Sequence, residues 1–180
     1  MRQRKNFTNQ SYLEKGFSIL EVLVSVAIFS FVLLAIISFL FSINTANSKS
    51  KADRETEENS RRIMDEIIYE VRGAKSVYGP TTASSQLSLE TDNYLSVGET
   101  TAFIDFFVCG SDFCLKKESQ NPSVLNSDSV EVGPVFFTQI LSGAIPLIKI
   151  DLTVKHKNPD NNPINNSSVN LVSTVSLRNY

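Results

Sequence analysis

At 180 residues, with 42% hydrophobic side chains and a formal net charge of −2, the chain has the size of one domain plus an additional segment rather than two full domains. Nineteen acidic residues against seventeen basic ones exclude a strongly basic nucleic-acid binder. The two cysteines, Cys109 and Cys114, are able to pair if their compartment is oxidising.

Residues 1–16 carry Arg2, Arg4, Lys5 and Lys15 against Glu14, a net of +3. From Val22 to Ile43 follow 22 residues without a charge. As an α-helix at ~1.5 Å per residue this run covers ~33 Å, enough for the ~30 Å hydrocarbon core of a bilayer. Basic flanks stay on the cytoplasmic side, so the remainder, with a net charge of −5, is expected outside. A cleaved secretory signal is the competing reading. Its apolar region spans only ~7–15 residues before a small-residue site, whereas the best site here, "NTA" at Asn44–Ala46, begins with Asn. Glu21 stands at the edge of the apolar run. A carboxylate within hydrocarbon costs ~2.5–3.5 kcal/mol and is usually paired and functional. The alternative is a side chain reaching the headgroups with Lys15 as a loose partner.

Beyond Asn44 the composition turns polar but stays helical. Glu57–Arg61 and Glu58–Arg62 are acid-before-base pairs four apart. Ile63, Met64, Ile67, Ile68 and Val71 form an apolar stripe that Ala52, Thr56 and Ser60 extend backwards. No Pro occurs between Phe17 and Val77 and no Gly before Gly73, so one helix of roughly 55 residues is predicted, its stripe docked on a folded head. After Tyr78–Pro80 the pattern changes to strands, predicted at Leu87–Leu89, Thr101–Cys109, Phe113–Glu118, Pro134–Ile140, Leu147–His156 and Val169–Asn179. In Leu147–His156, Ile148, Ile150, Leu152 and Val154 alternate with Lys149, Asp151, Thr153 and Lys155, as in a half-buried strand. Glu118–Ser129 and Lys157–Ser168 read as surface loops. The expected organisation is a leader at 1–16, a membrane helix at 17–43, its amphipathic continuation at 44–75 and a β-rich head at 76–180. That is an α+β fold with the long helix packed on an antiparallel sheet.

Little in the head points to chemistry. Cys109 and Cys114 flank "GSDF" between two strand-like runs, so a hairpin is expected to bring them across from each other as a disulfide. A zinc site or a reactive thiol is the alternative, and zinc lacks ligands beyond His156 and a few acids. His156 reads as a polar residue ending a strand rather than a catalytic base. The loop near Asp160 has one carboxylate among Asn residues, too few for a calcium site. Lys116, Lys117, Lys149, Lys155, Lys157 and Arg178 read as solvated surface rather than a DNA patch. No G-x-S-x-G, H-E-x-x-H, P-loop or dinucleotide fingerprint is present, and no metal, cofactor or enzymatic activity is implied.

The segment "KGFSILEVLVSVAIFS" resembles the leader junction and N-terminal helix of bacterial type IV pilins and of the pseudopilins of type II secretion. The shared pattern is a basic leader ending in Gly, then Phe, then Glu five residues into the mature chain, then an apolar helix. The resemblance implies cleavage between Gly16 and Phe17 by a prepilin peptidase and methylation of the Phe17 amine. It also implies a pairing of Glu21 with the N-terminal amine of a neighbouring subunit as a filament grows. Many pilins carry a Pro in the second half of the apolar segment, whereas this chain has Ser38 near there. "RRIMDEIIYEVRGAKSV" and the late "TVSLRN" look like the J pseudopilin and W-type minor pilins. The K-type generally lacks the acid that matches Glu21. The implied function is a structural subunit of a pilus or pseudopilus, anchored once in the bacterial inner membrane with its head exported. Its implied partners are the peptidase, other subunits and membrane lipids, with nucleic acid disfavoured. A pilus-tip recognition module and an unrelated signal-anchored domain are the rival readings.

Overall fold

A computed structural model of the chain describes residues 16, 18–78, 85–118, 120–142 and 145–178. The chain divides into two compact units, Met1–Asn44 and Thr45–Tyr180. Helix α1, Ile19–Gly73, is 55 residues long, as the absence of internal Pro and Gly predicts.

In the first unit α1 is apolar on every side, and each described residue is exposed in the isolated chain. Among the described residues this is the one helix long and apolar enough to cross a membrane. Two of its hydroxyls are satisfied internally: Ser25 Oγ donates to the Glu21 carbonyl at 2.7 Å and Ser30 Oγ to that of Val26 at 2.8 Å. Neither hydroxyl then needs water, which suits a helix in an apolar medium.

In the second unit α1 becomes amphipathic. Ala52, Thr56, Ser60, Ile63, Met64, Ile67 and Val71 are buried, the stripe expected from their spacing, and Glu70 is buried with them. Thr56 Oγ1 and Ser60 Oγ turn back onto the carbonyls of Ala52 and Thr56 at 2.7 and 2.6 Å, so their burial leaves no hydroxyl unpaired. On the exposed face Arg61 Nη2 reaches Glu57 Oε1 at 2.6 Å. Arg62, expected to pair with Glu58, instead donates to the Leu125 carbonyl.

The antiparallel β-structure expected of the head is arranged as two sheets. The first is an antiparallel meander in sequence order: β1 Ser76–Val77, β2 Leu87–Thr91, β3 Ala102–Cys109, β4 Asp112–Lys117 and β5 Ser123–Val124. The second contains β6 Val130–Ser142, β7 Ile145–His156 and β8 Ser168–Ser176, ordered β6-β7-β8 and also antiparallel. The loop expected at Glu118–Ser129 thus contains β5, and the one at Lys157–Ser168 contains a 3-10 turn at Pro163–Asn165. In β7 the four aliphatic residues of the alternating pattern are buried, while Lys149 and Lys155 are exposed. β6 carries a bulge: Val132 pairs with Val154 and Val135 with Leu152, so Gly133 and Pro134 together oppose Thr153. A Cβ on Gly133 would stand 3.4 Å from the Thr153 carbonyl oxygen, an ordinary contact.

One core joins the helix to both sheets. Ile63, Met64, Ile67 and Val71 share a cluster with Leu89, Ile104, Phe106 and Phe113 of the first sheet and Phe137, Ile150, Leu152 and Val154 of the second. Phe106 and Phe113 stack with centroids 6.1 Å apart. Glu70 is accommodated at the edge of this core because Lys117 Nζ lies 3.1 Å from its Oε1 and Tyr94 donates to the same oxygen at 3.1 Å. The ammonium also sits 3.8 Å from the Tyr94 ring centroid. Burial pulls the Lys117 pKa down, but hydrogen bonding to Tyr94 and Glu70 outweighs it and leaves the pKa raised. A raised folded-state value means that the pair contributes fully at neutral pH and is lost only as pH climbs through the raised lysine pKa.

Two stability changes follow. Ile67→Ala, at a fully buried position, is expected to cost about 2–5 kcal/mol in denaturant unfolding of the head. Lys117→Met, which leaves the Glu70 carboxylate buried without its cation, is expected to cost on the order of 3 kcal/mol, and Glu70→Leu added to it to restore much of the loss.

Candidate functional site

The N-terminal segment is built on the start of α1. The Ser18 carbonyl accepts from the Glu21 amide at 3.0 Å and from the Val22 amide at 3.2 Å, closing the first turn. Glu21 lies in that turn, where the positive end of the helix dipole favours an anion by ~0.3–1 kcal/mol. Its side chain is exposed, as is Gly16. Among the described residues, a Cβ placed on Gly16 would meet nothing within 4 Å. Phe17 and residues 1–15, including Lys15, lie outside the described residues. The segment therefore offers an exposed glycine junction and, one turn into an apolar helix, a carboxylate with no cation among the described residues. Between Gly16 and Asn44 the sequence holds no histidine, no cysteine and no acid other than Glu21.

Cys109 and Cys114 occupy a different place, the β3–β4 hairpin. They form a disulfide with Cα atoms 5.9 Å apart. They are diagonal neighbours rather than opposite ones, since Cys109 pairs with Asp112 and Cys114 with Phe107. The turn is Gly110–Ser111, with Gly110 at φ 73°, the positive value that a two-residue hairpin needs at its first central position. The thiols are thus consumed in a cross-link, and His156 is not beside them. His156 ends β7 and places Nε2 3.4 Å from Glu55 Oε2 on α1, while its Nδ1 is buried without a hydrogen-bond partner. The basic residues are dispersed: Lys117 pairs with Glu70, and Lys157 Nζ lies 3.5 Å from Asp112 Oδ1.

Asn126, which the sequence reading left in a loop, holds this hairpin. Its Oδ1 accepts from the Phe113 amide at 2.7 Å, and its Nδ2 donates to Asp112 Oδ1 at 2.9 Å and approaches the Ser127 and Val130 carbonyls. The hydrogen bond from Asn126, assisted by the Lys157 charge, holds the Asp112 carboxyl below its ordinary pKa against the opposing effect of burial. A depressed carboxylate pKa contributes stability above the unfolded value of ~3.9 and loses it as pH falls through the folded one. Asp112→Asn is accordingly expected to lower the melting temperature at pH 7 and to flatten its decline below about pH 4, read from melting curves across that range.

Residues 13–37 match the family model of the prokaryotic N-terminal methylation motif. No curated protein and no solved structure matches the chain. The match covers the leader junction, Glu21 and the first turns of the apolar helix, and it supports a type IV pilin-like prepilin segment that is a substrate for prepilin peptidase and anchors in a membrane.

Proposed function

We propose that this chain is a structural subunit of a type IV pilus or a type II secretion pseudopilus, cleaved between Gly16 and Phe17, methylated at Phe17, and assembled through the apolar helix. The observation that carries this reading is the placement of Glu21 in the first turn of a helix with no other charge before Lys49. In lipid that carboxylate is costly by ~2.5–3.5 kcal/mol. Cleavage would create an α-ammonium four residues upstream in the sequence. The ammonium of one subunit against Glu21 of the next neutralises both charges, so assembly is stabilised relative to the stored monomer. Lateral packing of the apolar helices supplies the remainder, with Glu21 setting their register. Gly16 is exposed, as a residue that a peptidase must reach would be. The +3 leader supports an orientation with the cleavage site on the cytoplasmic face and the head outside. A subunit of this kind catalyses nothing.

Intact mass measurement of membrane-extracted protein is expected to give a chain that begins at methylated Phe17. Retention of residues 1–16 in functional protein rules the proposal out. Glu21→Leu is expected to insert and to be processed normally, yet to fall at least tenfold in filament incorporation, scored by immunoblotting of sheared filaments. Incorporation at the native level removes the charge-pairing role.

A further inference from the structure

The connection between β7 and β8, residues 157–167, is fixed at both ends. The His156 amide donates to the Ser167 carbonyl at 2.9 Å, and the Lys157 amide to the Ser129 carbonyl at 2.8 Å. Within the connection Asn158 grips the Asn162 backbone twice: Nδ2 donates to the carbonyl at 2.7 Å and Oδ1 accepts from the amide at 3.0 Å. Asn162 Oδ1 in turn accepts from the Ile164 amide at 3.1 Å and caps the 3-10 turn Pro163–Asn165. Pro159 and Pro163 fix two further backbone dihedrals. A segment whose composition reads as loose is thereby braced, which lowers the ordering cost of binding a ligand against it.

Beside this connection and the adjoining ends of β6 and β7 lies a cleft of about 650 Å³, a volume within the range of small-molecule sites. Four polar side chains on its walls make no hydrogen bond or ion pair among the described residues: Glu131, Lys155, Asn161 and Asn166. The other two titratable groups that reach it are already engaged, Lys157 with Asp112 at 3.5 Å and His156 with Glu55 at 3.4 Å. Glu131 and Lys155 face each other in register on β6 and β7 and cancel in charge. An anion in the cleft would meet Glu131 and a cation would meet Lys155, so neither kind of ion is favoured. Donors and acceptors are present together: two amides, a carboxylate and an ammonium. A hydroxyl group, which donates and accepts at once, is the chemistry that satisfies such a set. Pro159 and Pro163 add ring surfaces for C–H groups, and among the described residues no aliphatic or phenyl side chain lines the cleft.

We infer that this cleft binds a neutral carbohydrate, whose hydroxyls are shared among Glu131, Lys155, Asn161 and Asn166. Asn161 is set in place by a positive φ of 49°, a conformation that Asn adopts more readily than most residues. A peptide is a poorer match, because it would need an apolar pocket for an anchoring side chain and the walls supply none. The site lies within the second unit, and its occupancy does not depend on assembly through Glu21. Hydroxyl contacts exchange almost evenly with water, so the affinity is modest and each lost contact reduces it measurably.

The test is saturation-transfer NMR of the full chain in dodecylphosphocholine micelles, which carry no sugar, with maltotriose, cellotriose and chitotriose as probes. At least one trisaccharide is expected to receive saturation. Asn161→Gly keeps the positive φ and removes one amide, and Asn166→Ala removes the other. In the double variant the dissociation constant of that trisaccharide is expected to rise roughly tenfold, as the loss of two hydrogen bonds implies, with the melting temperature unchanged. Glu131→Ala, on β6 and outside the connection, is expected to raise it roughly fivefold. Loss of the braced segment therefore cannot stand in for loss of contact. Inorganic phosphate and spermidine are expected not to compete. The proposal is overturned by no transfer to any of the three probes, by unchanged affinity in the variants, or by displacement of the trisaccharide by either ion.

Discussion

Burial of one face of α1 against both sheets is the interaction on which the head depends. The face is graded: Ala52, Thr56 and Ser60 are small, while Ile63, Met64, Ile67 and Val71 are large, and all are buried. The small residues permit close approach near the Leu125–Ser129 connection, where the Ser127 amide donates to Asn59 Oδ1. The large ones fill the space between the sheets. Without this face, each sheet would expose an apolar surface that neither β4 nor β6 covers alone.

Apolar burial has no direction, so polar contacts set where the elements stop. Glu70, Lys117 and Tyr94 fix α1 against the end of β4, and Glu55 with His156 fixes it against the end of β7. Asn126 does the same between β4 and β6 by occupying the Phe113 amide that a longer β5 would otherwise bond. These groups lie at the rim of the core, where a partly exposed partner reduces the desolvation cost of each charge.

The helix and the six longer strands were legible because their signals are local. An uninterrupted run without Gly or Pro predicts α1, and the alternation from Leu147 to His156 predicts β7 because one face is wet and the other is not. The disulfide partners were legible by proximity, but their diagonal placement depends on a turn of two residues at Gly110–Ser111, which shifts the register from the one expected. Other features depend on long-range partners. Glu70 reads as one more surface acid until Lys117, 47 positions away, is brought against it. At the division between the two sheets, Asn126 takes the Phe113 amide from inside an Asn/Ser-rich stretch that carries no periodicity. At the N-terminus Glu21 announces itself as a charge beside a chargeless run, whereas the open space around Gly16 is visible only in three dimensions.

The bulge at Gly133–Pro134 bears on how far the second sheet can grow. Pro134 offers no amide hydrogen, and the kink tilts the strand, so the β6 rim is a poor template for a further strand. Along that rim the second sheet is closed to the endless stacking that a flat, unguarded edge would otherwise invite.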